Sequence, residues 1–494
     1  MSDADLLLAI DQGTTGTTCL VMDLHGTTLG RRTVEFKQHF PQPGWVEHDP
    51  DEIWASVEAA TAGALEAAGV AGERIAAVGI TNQRETTLLW ERDSGTPIAR
   101  AIVWQDRRTG ALCATLKDQE PMARERTGLV FDPYFSGTKV RWLLDEVEGA
   151  RQKAEAGKLA FGTIDSFLVH RLSGGAVHAI DATNASRTLL MNLKGGWDET
   201  MCELLQVPPS VLPTIVPSAG HVAETKGFGP LPDGTPIAGI AGDQQAALFG
   251  QACFAVGDAK CTYGTGAFVL SNIGATPVVS RFGLLTTVAW QIGEEVTYAL
   301  EGSAFIAGAA VQWLRDGLGF IENASDVLEL AQQVDTSDGV YFVPALAGLG
   351  APYWDPEARG IICGLTRGTT RAHLARATLE GIAHQVTDLL DAMADDLGKP
   401  LAKMRVDGGA AANDLLMREQ ARFAGLRIER PHELETTARG AAMLAALGAG
   451  LFANKEAVAN MAPIERSFEA GGDAGARQAA RDGWRSAVSR ARTP

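Results

Sequence analysis

Two carboxylates and two Gly/Thr-rich turns are the groups best suited to do chemistry together. Asp243 lies in Gly242-Asp243-Gln244-Gln245, after the strand-like run Ile237 to Ala241 and before a helix-like stretch from Ala246 to Gly250. An Asp at such a corner serves either as a helix N-cap or as the group that orients a hydroxyl and takes its proton. A carboxylate is a weak base, but it suffices where a phosphoryl group is transferred through a loose transition state. Asp11 follows an apolar run, Leu6 to Ile10, and opens Asp11-Gln12-Gly13-Thr14-Thr15-Gly16-Thr17-Thr18. It would either close an Asx-turn or hold Mg²⁺, which takes oxygen ligands and keeps waters.

The two turns are Gly13-Thr14-Thr15-Gly16 and Gly264-Thr265-Gly266. Glycine lets backbone N–H groups approach a phosphate closely, and threonine adds hydroxyl donors. Each turn joins two apolar runs and reads as a β-hairpin. Alone, each is an ordinary turn; as a pair, each beside a carboxylate, they suit a polyphosphate held between them. No G-x-x-x-x-G-K-[ST], G-x-G-x-x-G or G-x-S-x-G occurs, which removes the simplest sequence grounds for a P-loop, nicotinamide or α/β-hydrolase enzyme.

Three further stretches carry polar groups after strand candidates. Asn82-Gln83-Arg84-Glu85-Thr86-Thr87 follows Ile75 to Thr81, and its adjacent Arg and Glu could bind neighbouring hydroxyls, one donating and one accepting. Trp104-Gln105-Asp106-Arg107-Arg108, after the strand candidate Ile102 to Trp104, sets an aromatic wall beside polar groups. Asp407-Gly408-Gly409-Ala410-Ala411-Ala412-Asn413, after Met404 to Val406, leaves room for a flat ring, with Asn413 able to bond a base or ribose. The bland alternatives are a solvated loop, a core Trp and a flexible strand-to-helix turn.

These groups need large, layered elements to position them. At 494 residues the chain calls for two domains, and alternating strands and helices argue for an α/β fold. The recurrence of the hairpin half a chain later suggests a duplicated domain. Ile382, Val386, Leu389, Leu390, Met393 and Leu397 recur at helical spacing up to Gly398. Trp142 to Leu144 falls in a helix candidate, Val340 to Pro344 in a strand candidate, and Ala474 to Arg492 reads as a terminal helix. Clustered Pro and Gly between Pro208 and Pro236 predict irregular surface loops. A net charge of -17 opposes nucleic acid and anionic membranes as partners. The six cysteines show no metal-ligand spacing and read as free thiols. The acidic start, Met1 to Asp5, is unlike a signal peptide, and no apolar run reaches bilayer length, so a cytoplasmic location without stable membrane insertion is expected.

Taken in order, Asp11 to Thr15, Pro43 to Pro50, Ile80 to Thr87, Asp132 to Lys139, Gly239 to Gln251, Thr262 to Phe268, Gly348 to Asp355 and Val406 to Asn413 resemble the FGGY carbohydrate kinase family. Within it they are most similar to the members that phosphorylate glycerol, part of the actin and sugar-kinase ATPase superfamily. The resemblance runs from about Leu6 to about Phe452. It implies two actin-like (ribonuclease H-like) domains, 1–249 and 250–494, with a cleft between them. The first would hold the polyol and one phosphate hairpin, the second the other hairpin and the adenosine. It implies ATP and glycerol as substrates, sn-glycerol 3-phosphate and ADP as products, Mg²⁺ as the metal, and a homodimer or homotetramer. Arg84, Glu85 and Asp243 match glycerol-hydroxyl positions, assisted by Tyr134 and Gln244, with Trp104 and Phe268 as apolar walls; Asp243 is the implied base. Thr14, Thr15, Gly16, Thr265, Gly308, Gln312, Gly409 and Asn413 match nucleotide-contacting positions, and Asp11 the position near Mg²⁺.

Xylulose-acting relatives usually carry Gln-Met-His-Gly where this chain has Asn82-Gln83-Arg84-Glu85, and that difference points to a small triol. One departure stands out: Thr18 replaces an arginine that many glycerol-acting members place after the first turn. The alternatives are a kinase for another polyol or ketose, and a non-catalytic, actin-like ATP-binding protein.

Overall fold

The computed structural model describes residues 4–433 and 435–492. Met1, Ser2 and Asp3, on which part of the signal-peptide reading falls, lie outside the described residues.

Thirteen strands build one mixed sheet: β1 (Leu6–Gln12), β2 (Gly16–Asp23), β3 (Thr28–Glu35), β4 (Ile75–Asn82), β5 (Ala219–Glu224), β6 (Pro236–Gly242), β7 (Asp258–Tyr263), β8 (Ala267–Gly274), β9 (Leu285–Ile292), β10 (Glu295–Ala304), β11 (Lys403–Asp407), β12 (Ile428–Pro431) and β13 (Ile464–Phe468). Their order is β13-β12-β11-β7-β8-β10-β9-β5-β6-β4-β1-β2-β3. The order contains the same unit twice. In the first half β3-β2-β1 are antiparallel, and β4 and then β6 run parallel to β1. In the second, β10-β8-β7 are antiparallel, and β11 and then β12 run parallel to β7. The repeat that two short hairpins suggested is thus a repeat of whole sheets. Within the sheet the halves join through the pair Ala219 and Ile292 of β5 and β9.

Long amphipathic helices cover these sheets. α1 (Pro50–Ala68) crosses from β3 to β4, and α4 (Arg371–Leu397) makes the matching crossover before β11. The stop of α4 follows its sequence: Gly398 takes a left-handed φ of 70°, where a side chain would be strained. α2 (Asp243–Gly250) follows β6, and α6 (Thr436–Gly448) follows β12. These equivalent helices pack directly on each other, because a Cβ on Gly440 would strike the Ala246 carbonyl and one on Gly250 the Thr436 carbonyl. The other helices used below are α3 (Gly308–Asp316) and α5 (Asp414–Ala424).

Two expectations need correction. The stretch between Pro208 and Pro236 is not wholly irregular: it contains β5, paired with β6 and, through Ala219, with the second half. The candidate strand Ile102 to Trp104 shrinks to Ala101–Ile102, and Trp104 lies in the following turn. Ile75–Asn82, Tyr341–Val343, the helix Ser136–Glu146 and the terminal helix Ala474–Ala491 form where expected. All six cysteines are free, five of them buried. Among the described residues no helix is long and apolar enough to cross a membrane.

Candidate active site

Parallel strands deliver their loops to one edge, where ligands of α/β folds bind. Register places Asp11 of β1 beside Thr81 of β4, itself beside Ala241 of β6, so the three strands end together. Asp11, Arg84 and Asp243 therefore emerge side by side from widely separated parts of the chain. In the second half Thr262 of β7 pairs with Asp407 of β11, which sets the turn Gly264-Thr265-Gly266 beside Gly408-Gly409.

Asp243 is the first residue of α2 and Gly242 is its cap position. The carboxylate is a third exposed. It accepts the Gln244 N–H at 2.6 Å and lies 3.2 Å from Arg84 Nε. Arg84 is almost fully buried and spends its other nitrogens on Glu301, Nη1 to Oε2 at 2.6 Å and Nη2 to Oε1 at 3.0 Å. It also donates to Tyr134 Oη and Gln245 Oε1, each at 3.2 Å. Arg187 closes the set, with Nε on Glu85 Oε1 at 2.7 Å and Nη2 on Glu301 Oε1 at 3.1 Å. Burial alone would raise the Glu301 carboxyl, but the Arg187 and Arg84 guanidinium groups outweigh it and hold Glu301 down to about 2. For Glu85 burial prevails over the same two arginines, and its carboxyl is raised.

The Glu85 backbone has φ 59°, the left-handed region that non-glycine residues avoid. Its carbonyl accepts from Ser136 Oγ at 3.1 Å, Lys139 Nζ at 3.2 Å and Thr87 Oγ1 at 2.9 Å, and these bonds fix the strained peptide. Strain held this way is common where a side chain must be aimed. Trp104 stands edge-on to Tyr134, ring centroids 5.6 Å apart, and its indole N–H donates to Thr14 Oγ1 at 2.9 Å. The Trp104 ring is thus tied to the first Gly/Thr turn.

Phe268 shares a sheet face with Thr262 and Ser303, the residues opposite it on β7 and β10. By the two-residue repeat Lys260, Leu270 and Glu301 lie on that face as well. Lys260 is buried and donates to Gln244 Oε1 and, at 2.9 Å, to Thr262 Oγ1. An ammonium has no acceptor, so it fixes which end of the Gln244 amide is the oxygen. The amide N–H₂ is left to face away from the lysine.

A cavity of about 470 Å³ lies against the second turn. Thr265, Gly308, Gln312, Gly409 and Asn413 line it, so the structure gathers five of the expected nucleotide positions in one place. Gly308 opens α3 where a Cβ would come within 2.6 Å of the Gly264 carbonyl. Asn413 caps α5, its Oδ1 accepting from Leu415 and Leu416 N–H, which leaves Nδ2 for other contacts. Thr14 and Thr15 sit in the first turn, closed by the Gly13 N–H on the Gly16 carbonyl at 2.9 Å. Gly16 is required by packing: a Cβ there would lie 2.9 Å from the Val34 carbonyl of β3. Thr18 shares a hydrogen bond with Thr33 at 2.9 Å, and Arg31, on the same face of β3, pairs with Glu435 at 2.7 Å. Asp11 belongs to β1 itself. Burial, then the Asp243 and Glu435 carboxylates, push its carboxyl up to about 8.

Sequence reasoning did not single out Glu301, Arg187 or Lys260 for the site. The available signal was a lone charge in each of the short runs Ala299-Leu300-Glu301-Gly302 and Ala259-Lys260-Cys261. Charged residues are almost never fully buried unless paired.

A duplicated sheet, a hairpin turn from each half and a cavity against the second turn define a two-domain kinase with the actin-like ATPase fold. The N-terminal domain of the FGGY family of carbohydrate kinases matches residues 6–250, and its C-terminal domain matches residues 259–449. The chain belongs to the FGGY family of carbohydrate kinases. It is 56% identical to a glycerol kinase of Myxococcus xanthus (strain DK1622), over 99% of this chain and 100% of that protein. It is 58% identical to a glycerol kinase of Aromatoleum aromaticum (strain DSM 19018 / LMG 30748 / EbN1), over 98% of each. Among solved structures, Plasmodium falciparum glycerol kinase with ADP superposes with a TM-score of 0.94 at 35% identity, covering 99% of this chain and 98% of that one. A gluconate kinase from Lactobacillus acidophilus, at 21% identity and a TM-score of 0.87 over 98% and 97% of the chains, shares the fold.

Proposed function

We propose that this chain phosphorylates glycerol with ATP, giving sn-glycerol 3-phosphate and ADP, with Asp243 orienting the attacking hydroxyl and taking its proton. The observation that carries the reading is the Arg84 to Asp243 contact at 3.2 Å, which sets the buried guanidinium between Glu85 and a carboxylate a third exposed. It sets a donor and two acceptors within one small triol's length. Full-length identity of 52–58% to glycerol kinases supports the choice of substrate.

In this reading the Arg84 edge that faces Asp243 and Tyr134 exchanges those 3.2 Å contacts for glycerol oxygens, and Glu85 accepts with the lone pairs that Arg187 leaves open. Gln244 offers its N–H₂, and Trp104, Tyr134 and Phe268 cover the carbon chain. Adenosine occupies the cavity of Gly308, Gln312, Gly409 and Asn413, with the phosphates between the turns of Thr14, Thr15 and Gly16 and of Thr265. The glycerol oxygen attacks the γ-phosphorus as the bond from that phosphorus to the β-bridging oxygen breaks. The proton passes to Asp243, and ADP leaves. The base chiefly positions the nucleophile, because the transition state is loose.

Mg²⁺ fits beside Asp11. A carboxyl pushed up to about 8 by burial and then by the Asp243 and Glu435 carboxylates is a place where a cation is favourable. Among the described residues no cluster of three or more His, Cys, Asp or Glu could hold a metal alone. That suits an ion held by Asp11, its waters and the nucleotide. When bound it would neutralise charge on the phosphates.

The same reading divides the chain into 1–249, carrying the polyol, and 250–494, carrying the adenosine. It makes the protein a cytoplasmic homodimer or homotetramer that binds neither nucleic acid nor membrane, which the charge of -17 and the free thiols support. A coupled ADP-release assay over glycerol, dihydroxyacetone, xylulose and ribulose tests the function. Glycerol should be preferred; phosphorylation of another of these with none of glycerol would overturn it.

A further inference from the structure

Asp181 is fully buried at the end of the short strand Ala179–Asp181. It caps the single helical turn Ala182–Ala185, with Oδ2 accepting the Thr183 N–H at 2.9 Å and Oδ1 the Asn184 N–H at 3.0 Å. Two further sets of bonds leave that turn and reach chain neighbours of Asp243 and Arg84. Thr183 Oγ1 donates to Asp181 Oδ1 at 2.9 Å and accepts the Gly242 N–H at 2.9 Å. Gly242 is the residue before Asp243. Asn184 Nδ2 donates to Asp181 Oδ1 at 2.8 Å, and its amide pairs reciprocally with that of Asn82, both bonds at 3.0 Å. Asn82 ends β4, two residues before Arg84.

The chemistry of the carboxylate gives these bonds a direction. Burial raises the Asp181 carboxyl, but the Asn184, Thr183 and Ser218 donors aimed at it favour its ionised form, and an ionised carboxylate only accepts. Thr183 must therefore turn its hydrogen inward, which leaves a lone pair for the Gly242 N–H. Asn184 must keep its N–H₂ toward Asp181, which forces its oxygen toward Asn82. Ser218 Oγ donates to Asp181 Oδ2 at 2.8 Å, so no proton is needed on the carboxyl to complete the arrangement.

We propose that Asp181 is a positioning residue for the reaction: through Thr183 it sets the peptide that carries Asp243, and through Asn184 and Asn82 it sets the strand end that carries Arg84. The proposal rests on the reading of Asp243 as the base. Its two arms should separate in kinetics. The Thr183 arm acts on the group that works in the transition state, and the Asn184 arm acts on the group that binds the polyol.

The test is steady-state kinetics on the full chain, with a thermal melt of each variant. Thr183→Val, which keeps the shape and loses the hydroxyl, should lower kcat roughly tenfold or more with glycerol KM little changed. Thr183→Ser should restore kcat, which an effect of lost packing would not do. Asn184→Ala should raise glycerol KM more than it lowers kcat. If Thr183→Val does not fold, Asp181→Asn takes its place and must lower kcat at least threefold. Wild-type kcat in a folded Thr183→Val, or failure of Thr183→Ser to restore a lost kcat, would reduce Asp181 to a helix cap. Asp243→Asn keeps the two ideas apart. If it retains turnover, the base reading fails; if it is inactive while Thr183→Val is fully active, only the positioning proposal fails.

Discussion

Arg84 and Glu301, 217 positions apart, form a two-pronged buried ion pair, with Nη1 to Oε2 at 2.6 Å and Nη2 to Oε1 at 3.0 Å. Glu301 lies on β10 in the second half, and Arg84 follows β4 in the first. The arginine that faces Asp243 is thus aimed from the other half of the chain. Glu301→Gln keeps the size and one acceptor but leaves two buried guanidinium groups with one fewer negative charge. Breaking a buried pair typically costs about 3–5 kcal/mol. We expect lower stability in urea unfolding and a raised glycerol KM, with ATP affinity largely kept. A variant as stable as the parent, with unchanged KM, would contradict this role for Glu301.

The same pair predicts an acid response. Glu301 is held to about 2, below its ordinary value of 4.5. Its folded value is the lower one, so its contribution is fully present above pH 4.5. The contribution is lost as pH falls from 4.5 through about 2. The shift corresponds to about 3 kcal/mol. Glu301→Gln should flatten the stability-against-pH curve over that window and leave its slope above pH 5 unchanged. Urea midpoints between pH 2.5 and 7 read this directly.

Much of the site was legible because its signals are local. Both Gly/Thr turns, the strand end before Asp243 and the helix start at Asn413 are written in consecutive residues and form where expected, while β1 runs past Asp11 to Gln12. Glu301, Arg187 and Lys260 were not legible because their meaning lies in partners far along the chain, Arg84, Glu85 and Gln244. β5 was missed for a related reason. Its flanking prolines and glycines signal turns, while its pairing with β6 and, through Ala219, with β9 is non-local. The helix-cap reading of Asp243 gave way on one residue, since Gly242 occupies the cap position and the carboxylate faces Arg84.

Asp243→Asn tests the base most directly. The amide preserves shape and the contact region of Arg84, but it cannot take the hydroxyl proton. Turnover should fall by roughly 10²-fold or more, while nucleotide binding, measured by calorimetry with ADP, stays within about threefold. Turnover at the parent rate would assign the proton to another group.

Gly408 and Gly409 are neighbours with opposite expected sensitivities. Gly408 has φ 83°, and a Cβ on it would lie 2.5 Å from the Tyr263 carbonyl. Both the conformation and the contact exclude a side chain, so Gly408→Ala should destabilise the second half, with a lowered melting temperature. A Cβ on Gly409 meets nothing within 4 Å, and the residue lines the 470 Å³ cavity. A side chain there enters space that we assign to adenosine. Gly409→Val should therefore fold with a near-parental melting temperature and bind ADP at least roughly tenfold more weakly, about 1.4 kcal/mol. The melt and the calorimetric titration together separate the two glycines. Parental ADP affinity in Gly409→Val would place the base elsewhere than in this cavity.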